Sequence, residues 1–218
     1  MNINDYIRND FEALTLTNSV KDALELFKTY AVTHIPIIES DRFIGCVSQS
    51  DMITIDNEEE LLRSQIDFLE HFQINREESH IELLKKFARN DTNILPAVLE
   101  QKYIGYIELN DVLDNLSQSP FLNTNGFVLI VQKNTKEYAM SEVSQIIESN
   151  KGILLGAYIS NHLGDKTELT LKISSQNINE IIQSFRRYNY TILTEHQDDI
   201  YLEELKNRSD YLQKYLNP

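Results

Sequence analysis

The sequence has one cysteine and six glycines among its 218 residues. Cys46 cannot form an internal disulfide, and its apolar surroundings predict a buried packing residue in a reducing compartment. No glycine-rich phosphate loop is present. The histidines show no metal-binding spacing; they are His34, His71, His80, His162 and His196. An enzyme and a metalloprotein are therefore both disfavoured.

The sequence also lacks a secretion signal, a membrane span and a basic patch. Residues 1–6 have no basic start followed by an apolar stretch, and no run approaches the roughly 20 apolar residues of a span. Lys and Arg number 20 against 34 Asp and Glu, which gives a net charge of −14. Because such a surface repels nucleic acid and anionic lipid, we expect a cytoplasmic protein with neither partner.

What the chain does contain is an internal repeat at an offset of 60 residues without a gap. The first copy contributes Ile35, Pro36, Ile44, Gly45, Val47 and Asp51, and the second contributes Leu95, Pro96, Ile104, Gly105, Ile107 and Asp111. A fixed offset of this kind indicates two related folding units.

Each copy has the pattern of a helix, two strands and a further helix. In the first, Asn18 or Ser19 caps an amphipathic helix, and a polar turn at 39–42 joins two β-branched runs. A second helix is predicted from Ser50 or Asp51 towards Leu62, followed by a helical connector that starts in the acidic residues 56–60. The second copy repeats this order from Ile74.

The pattern changes after a linker at 117–126. Strands are predicted at 127–131, 153–159, 169–173 and 190–193, with helices at 139–147 and 178–185. This βαββαβ order is the ferredoxin-like split arrangement. A final amphipathic helix is predicted from Tyr201, Leu205, Leu212 and Leu216.

The first 120 residues resemble a pair of CBS domains, the cystathionine-β-synthase-type repeats that form a Bateman module. The motifs that carry the likeness are 35–38 with Gly45-x-x-Ser48-x-x-Asp51, and 95–98 with Gly105-x-x-Glu108-x-x-Asp111. Residues 126–197 are similar to an ACT-type domain, and the whole chain resembles acetoin-utilisation-type CBS proteins. The predicted fold class is α+β, with CBS domains at 1–60 and 61–120, the ACT-like domain at 126–197 and a helix at 198–218.

The resemblance implies an adenosine nucleotide in the first copy. The hydroxyl of Ser48 would donate to a phosphate, and the carboxylate of Asp51 would accept from the ribose diol. Apolar residues around Pro36 would sandwich the adenine, and His34 or Arg42 would add positive charge. The predicted nucleotide-binding residues are therefore His34, Ile35, Pro36, Arg42, Ser48 and Asp51.

The second copy departs from this pattern. Glu108 stands where Ser48 does, and Ile94 stands where His34 does, so a phosphate would face a carboxylate. Two like charges ~4 Å apart cost roughly 1–4 kcal/mol. We therefore expect a degenerate site, with Leu95, Pro96 and Asp111, that is empty or takes an uncharged nucleoside.

The acidic balance favours AMP over ATP, with ADP and S-adenosylmethionine as further possible ligands and no required cofactor. The family also implies a homodimer and an unidentified regulated protein partner. An alternative stays open, because Asp51 stabilises a helix start without any ligand and Ser48 is a common turn former. Under that alternative the chain is a ligand-free structural or dimerisation protein. Amino-acid binding by the ACT-like domain is also open, since Asn125-Gly126-Phe127 replaces the usual acidic-glycine opening.

Overall fold

The computed structural model describes residues 3–75 and 78–194, and the chain divides into two compact units after Ser117. The predicted helix at 198–218 and His196 lie outside the described residues. Within those residues, no helix has the length and apolarity needed to cross a membrane.

The first unit contains both repeats. The first copy comprises β1 (Leu14–Thr15), α1 (Val20–Thr29), β2 (His34–Glu39), β3 (Arg42–Ser48) and α2 (Gln49–Met52). The second copy comprises α3 (His80–Arg89), β4 (Ile94–Leu99), β5 (Lys102–Glu108) and α4 (Leu109–Ser117). Short 3₁₀ helices span Ile3–Tyr6 and Leu62–Phe68. One sheet with the order β1-β2-β3-β5-β4 runs through both copies.

The two hairpins are copies of each other in three dimensions. Their turns use consecutive residues with positive φ, Ser40-Asp41 and Glu100-Gln101, as the two-residue type I′ turn requires. The bonds between the hairpins are reciprocal: Phe43 N donates to Gln101 O, and Tyr103 N donates to Asp41 O. The predicted repeat is thus a pair of units related by a local two-fold relation.

The segments outside the hairpins exchange between the copies. Arg8, which precedes the first copy, pairs with Tyr106 of the second through backbone bonds of 2.8 and 3.0 Å. Glu70, which lies between the copies, pairs with Cys46 of the first through bonds of 2.8 and 2.9 Å. The segment that precedes α1 therefore completes the second hairpin, and the segment that precedes α3 completes the first.

Gly105 permits this exchange at the second copy. Its φ is +133°, and an added Cβ would lie 2.5 Å from the Arg8 carbonyl oxygen. A side chain there would be both strained and in collision with the crossing segment.

Helices α1 and α3 begin with the same capping box. Ser19 accepts from the Asp22 amide while the Asp22 carboxylate accepts from the Ser19 amide, which lowers the pKa of Asp22. Ser79 and Glu82 repeat the arrangement. The buried face of α3 contains Leu83 and Phe87, whereas Ile81 is 80% exposed.

The helix predicted from Ser50 towards Leu62 is wrong, because α2 ends at Met52 and residues 56–60 form an irregular segment of bends and turns. The first amides of a helix have no partner within that helix. Val20 N and Lys21 N, at the start of α1, donate to the carbonyls of Glu60 and Glu58. The acidic segment thus serves as a backbone cap for α1 instead of forming a helix of its own.

The second unit contains α5 (Pro120–Asn123), β6 (Phe127–Asn134), α6 (Met140–Ser149), β7 (Ile153–Leu163), β8 (Lys166–Ser174), α7 (Ile178–Arg187) and β9 (Thr191–Ile192). From β6 onward the order is βαββαβ as predicted, and the antiparallel sheet runs β7-β8-β6-β9. Helix α5 falls within the predicted linker. Its Phe121 packs over Gly156 of β7.

The apolar segments 127–131 and 169–173 lie at the centre of this sheet. These residues belong to β6 and β8, which are the central strands, whereas β7 and β9 form the edges. Leu169, Leu171 and Ile173 are fully buried against α6 and α7.

A group of hydrogen-bonded side chains links β6, α6 and Tyr190, the residue before β9. Lys133 Nζ donates to Glu142 Oε2 at 2.7 Å, the Tyr190 hydroxyl donates to the same oxygen at 2.8 Å, and the Lys133 amine lies 4.5 Å from the Tyr190 ring centroid. Burial disfavours the charged form of Glu142, but these hydrogen bonds outweigh it and lower the pKa of Glu142.

Glu142→Gln should destabilise the second unit by about 1–3 kcal/mol at pH 7, because hydrogen bonds to a charged group are lost and Lys133 loses its counter-charge. The folded pKa of Glu142 lies below its unfolded value, so its stabilisation is present above the ordinary carboxyl pKa and is lost as pH falls through the lowered one. Urea unfolding at a series of decreasing pH values should show that the difference in unfolding free energy between Glu142→Gln and the unmodified protein becomes smaller. The exposed Glu137→Gln is the control, and a pH-independent difference for Glu142→Gln would contradict the assignment.

Candidate functional site

Three of the predicted residues lie together at one end of the first hairpin. His34 opens β2, Ser48 closes β3, and the two residues are direct partners in the antiparallel register. Both are only 4% exposed although both are polar. Asp51 follows in the first turn of α2. The structure thus brings His34, Ser48 and Asp51 into one polar group.

Ser48 and Asp51 bind each other. The Ser48 hydroxyl donates to Asp51 Oδ2 at 2.7 Å and accepts from the Asp51 amide at 3.1 Å, which caps α2. The Ser50 hydroxyl lies 2.9 Å from that of Ser48. Within the described residues, no hydrogen bond reaches Asp51 Oδ1. That carboxylate oxygen can accept from a ligand hydroxyl without breaking a bond in the protein.

His34 is held by the protein through both ring nitrogens. Nδ1 lies 2.9 Å from the Thr33 hydroxyl, and Nε2 lies 3.2 Å from Glu70 Oε1. Its ring contacts Phe72 edge-on, with centroids 5.2 Å apart. His34 therefore holds Glu70 and Phe72 of the connecting segment in place, and it has no unpaired ring nitrogen to offer a ligand.

The remaining predicted residues lie elsewhere. Arg42 is at the opposite end of β3 from Ser48, six residues away in the strand, or about 20 Å at the usual strand rise. It donates a hydrogen bond to Gln101 Oε1. Ile35 and Pro36 are buried within β2, and Ile35 belongs to the core.

A cavity of about 580 Å³ is bordered by Phe72, whose ring meets that of His34, whereas His34, Ser48 and Asp51 are not among its lining residues. Lys86 and Arg89 reach it from α3 of the second copy, so it carries positive charge in a strongly acidic chain. Lys86 Nζ also donates to Gln73 O at 2.6 Å and to Glu78 Oε1 at 2.7 Å. The lining residues are Phe43, Ile44, His71, Phe72, Gln73, Lys86, Arg89 and Asn90.

The two copies differ in the aromatic residues at equivalent positions. In the other half, Phe11 stacks on Tyr106 with ring centroids 4.8 Å apart and meets Tyr30 in a tilted contact with centroids 5.1 Å apart. The 60-residue offset places Cys46 and Asn90 at the positions of Tyr106 and Tyr30. A second cavity, of about 320 Å³, lies beside Tyr30 and Tyr106.

In the second copy, the carboxylate that corresponds to Asp51 is fully bonded. Arg8 Nε donates to Asp111 Oδ2 at 2.7 Å, and Arg8 Nη2 donates to Asp111 Oδ1 at 2.5 Å. Arg8 Nη1 lies 3.5 Å from Glu108 and 3.8 Å from Asp10. The hydrogen bond to Asp111 raises the pKa of Arg8 above its usual range.

The other residues of the predicted second site lie within the sheet. Leu95 and Pro96 are buried in β4, as Ile35 and Pro36 are in β2. No local pattern points to Arg8, because it lies outside the repeat and reaches Asp111 across 103 residues.

No group of three or more metal-ligating side chains occurs within 3–75 and 78–194. The CBS domain family matches residues 3–58. No curated protein matches the chain.

Solved structures with a similar fold include CBS domain proteins. A CBS domain pair/ACT domain protein from Thermotoga maritima is 19% identical, covering 53% of this chain and 96% of its own, with a TM-score of 0.47. A putative acetoin utilization protein from Vibrio cholerae is 18% identical, covering 54% and 90%, with a TM-score of 0.46. The protein CBSX2, solved in complex with AMP, is 19% identical, covering 54% and 97%, with a TM-score of 0.44.

Proposed function

Because residues 3–58 match the CBS domain family, we propose that this chain is a regulatory module that senses an adenosine nucleotide, with AMP favoured, at its first copy. One observation carries the proposal. Asp51 has a carboxylate oxygen that is free of protein hydrogen bonds among the described residues, whereas both oxygens of its counterpart Asp111 are bound by Arg8.

In this proposal each part of AMP has a partner of matching chemistry. The ribose diol donates to Asp51, where charge-assisted hydrogen bonds are stronger than neutral ones. The adenine ring packs against Phe72, which borders the cavity of about 580 Å³. The phosphate lies near Arg89, an exposed side chain on the cavity wall, and near Lys86.

The charge of the site favours a monophosphate. Arg89 and Lys86 supply two positive charges, and Lys86 shares its charge with Glu78 at 2.7 Å. Glu70, bonded to His34, adds a negative charge at the mouth of the site. A triphosphate would bring more negative charge than these groups offset, and the chain as a whole is at −14.

A ligand-free structural role is the second candidate. It is favoured by the self-contained hydrogen bonds of the site: Ser48 caps α2 and bonds Asp51, and both ring nitrogens of His34 have partners. The homodimer and the regulated partner protein stay predictions under either function.

Titration calorimetry with AMP, adenosine and ATP tests the proposal. We expect one AMP per chain, and at 100 times the dissociation constant AMP should add about 2.7 kcal/mol to the free energy of unfolding. Arg89→Gln should weaken AMP binding about three- to tenfold and leave adenosine unaffected, because the side chain meets only the phosphate at an exposed position.

Arg63→Gln is the matched control, since Arg63 is an exposed arginine of the same unit that does not line the cavity. It should change neither affinity. Two equivalent AMP sites would show that the pocket is wrongly assigned. No heat and no thermal shift with any of the three ligands would favour the structural role.

A further inference from the structure

Arg8 occupies the place in the second copy that Glu70 occupies in the first. Each residue forms a pair of backbone hydrogen bonds with its hairpin, Arg8 with Tyr106 and Glu70 with Cys46, and these strand residues are 60 positions apart. The side chains at the two equivalent positions have opposite charge. Glu70 turns to His34, whereas Arg8 forms a two-bond contact with Asp111.

We infer that Arg8 is a built-in competitor that closes the ribose position of the second copy and so limits the chain to one nucleoside-type ligand. The inference rests on the proposed function at the first copy. A ribose diol needs the carboxylate oxygens of Asp111 as acceptors, and the Arg8 guanidinium binds both oxygens in the planar geometry that suits a carboxylate.

Space for a ligand exists beside this contact. A cavity of about 320 Å³ lies next to it, which is within the usual range for small-molecule sites. Two of its acidic lining residues, Asp10 and Glu108, are the same residues that Arg8 Nη1 approaches.

The charges around Arg8 determine which ligand the opened site would take. Arg8 offsets one of the three nearby carboxylates, those of Asp10, Glu108 and Asp111. Without it, all three negative charges would face a ligand, so a phosphate would be repelled. An uncharged nucleoside, adenosine, can still donate its diol to Asp111. Removal of Arg8 should therefore open the second copy to adenosine and not to AMP.

Titration calorimetry of Arg8→Gln with adenosine and with AMP tests the inference. We expect adenosine stoichiometry to rise by one site per chain, with at least about a tenfold gain in affinity at that site, because the ligand no longer displaces charge-assisted bonds. AMP stoichiometry should not change. The double variant Arg8→Gln/Asp111→Asn should lose the added site, and Arg63→Gln should behave as the unmodified protein does.

The outcomes separate this inference from the proposed function. If the unmodified protein binds one ligand and Arg8→Gln adds no adenosine site, the inference fails while the proposed function stands. If the unmodified protein binds neither ligand but Arg8→Gln gains one Asp111-dependent adenosine site, the inference stands and the proposed function fails. A second AMP site as tight as the first would overturn the inference.

If circular dichroism shows that Arg8→Gln does not fold, Arg8→Lys provides a second test of the inference. A lysine keeps the positive charge but cannot form the two parallel hydrogen bonds that the planar guanidinium makes with Asp111. We expect a second adenosine site in Arg8→Lys that is weaker than the first. Its absence in a folded Arg8→Lys would count against the inference.

Discussion

Asp51→Ala should weaken AMP binding more than tenfold. The substitution removes the acceptor for the ribose diol, and hydrogen bonds to a charged group are worth about 1.5–3 kcal/mol. It also removes the partner of the Ser48 hydroxyl, whose 2.7 Å bond orients the carboxylate. Titration calorimetry would measure the loss directly.

Two variants control for effects other than the lost acceptor. Asp51→Asn keeps one acceptor oxygen without the charge, so its affinity should lie between those of the unmodified protein and Asp51→Ala. Asp111→Ala removes the corresponding carboxylate of the second copy and should leave AMP affinity nearly unchanged. Full affinity in Asp51→Ala, or an equal loss in Asp111→Ala, would remove Asp51 from the site.

Phe185→Ala should lower the free energy of unfolding of the second unit by about 3–5 kcal/mol. Phe185 is fully buried on α7 and meets Tyr190 edge-on, with ring centroids 5.3 Å apart. The truncation leaves a cavity between α7 and the sheet that a close-packed core cannot fill. Urea unfolding would report the loss, and amide exchange should become faster in β6 and β8.

Leu163→Ala is the matched control for Phe185→Ala. Leu163 lies in the same unit at the end of β7 but is 51% exposed, so its truncation should change stability by no more than about 0.5 kcal/mol. Similar losses in the two variants would mean that Phe185 is not part of a packed core.

The first helix and the hairpin of each copy could be predicted because they rest on local patterns. The cap at Ser19, the period of α1 and the polar turn at Ser40-Asp41 are all readable within a few residues. The 60-residue offset then predicts a helix and a hairpin at the equivalent positions of the second copy. His34, Ser48 and Asp51 come together for the same reason, since one hairpin and the turn that follows it hold all three.

The residues that complete the site could not be predicted, because they arrive from distant segments. Phe72 and Glu70 come from the connection between the copies, and Arg89 comes from a helix of the other copy. Arg42 was assigned to the phosphate from its charge alone, although strand geometry places it far from Ser48. Alternation along a strand indicates which face a residue occupies, but not which end of the hairpin a ligand uses.

Strand order in the second unit shows a similar limit. The apolar residues of β6 and β8 identify both segments as strands, but they do not show that both strands are central in the sheet. Periodicity identifies strands and their buried faces, but their neighbours in the sheet depend on how the crossover connections run.

The exchanged segments also determine the order in which the first unit can be completed on the ribosome. Glu70 pairs with Cys46 across 24 residues, whereas Arg8 pairs with Tyr106 across 98 residues. At roughly 5–20 residues per second, the segment around Arg8 waits about 5–20 s for its partner strand to be synthesised. During that interval the first hairpin can already close with the connecting segment. The Arg8 segment is thus secured later than the connecting segment, although it is synthesised before it.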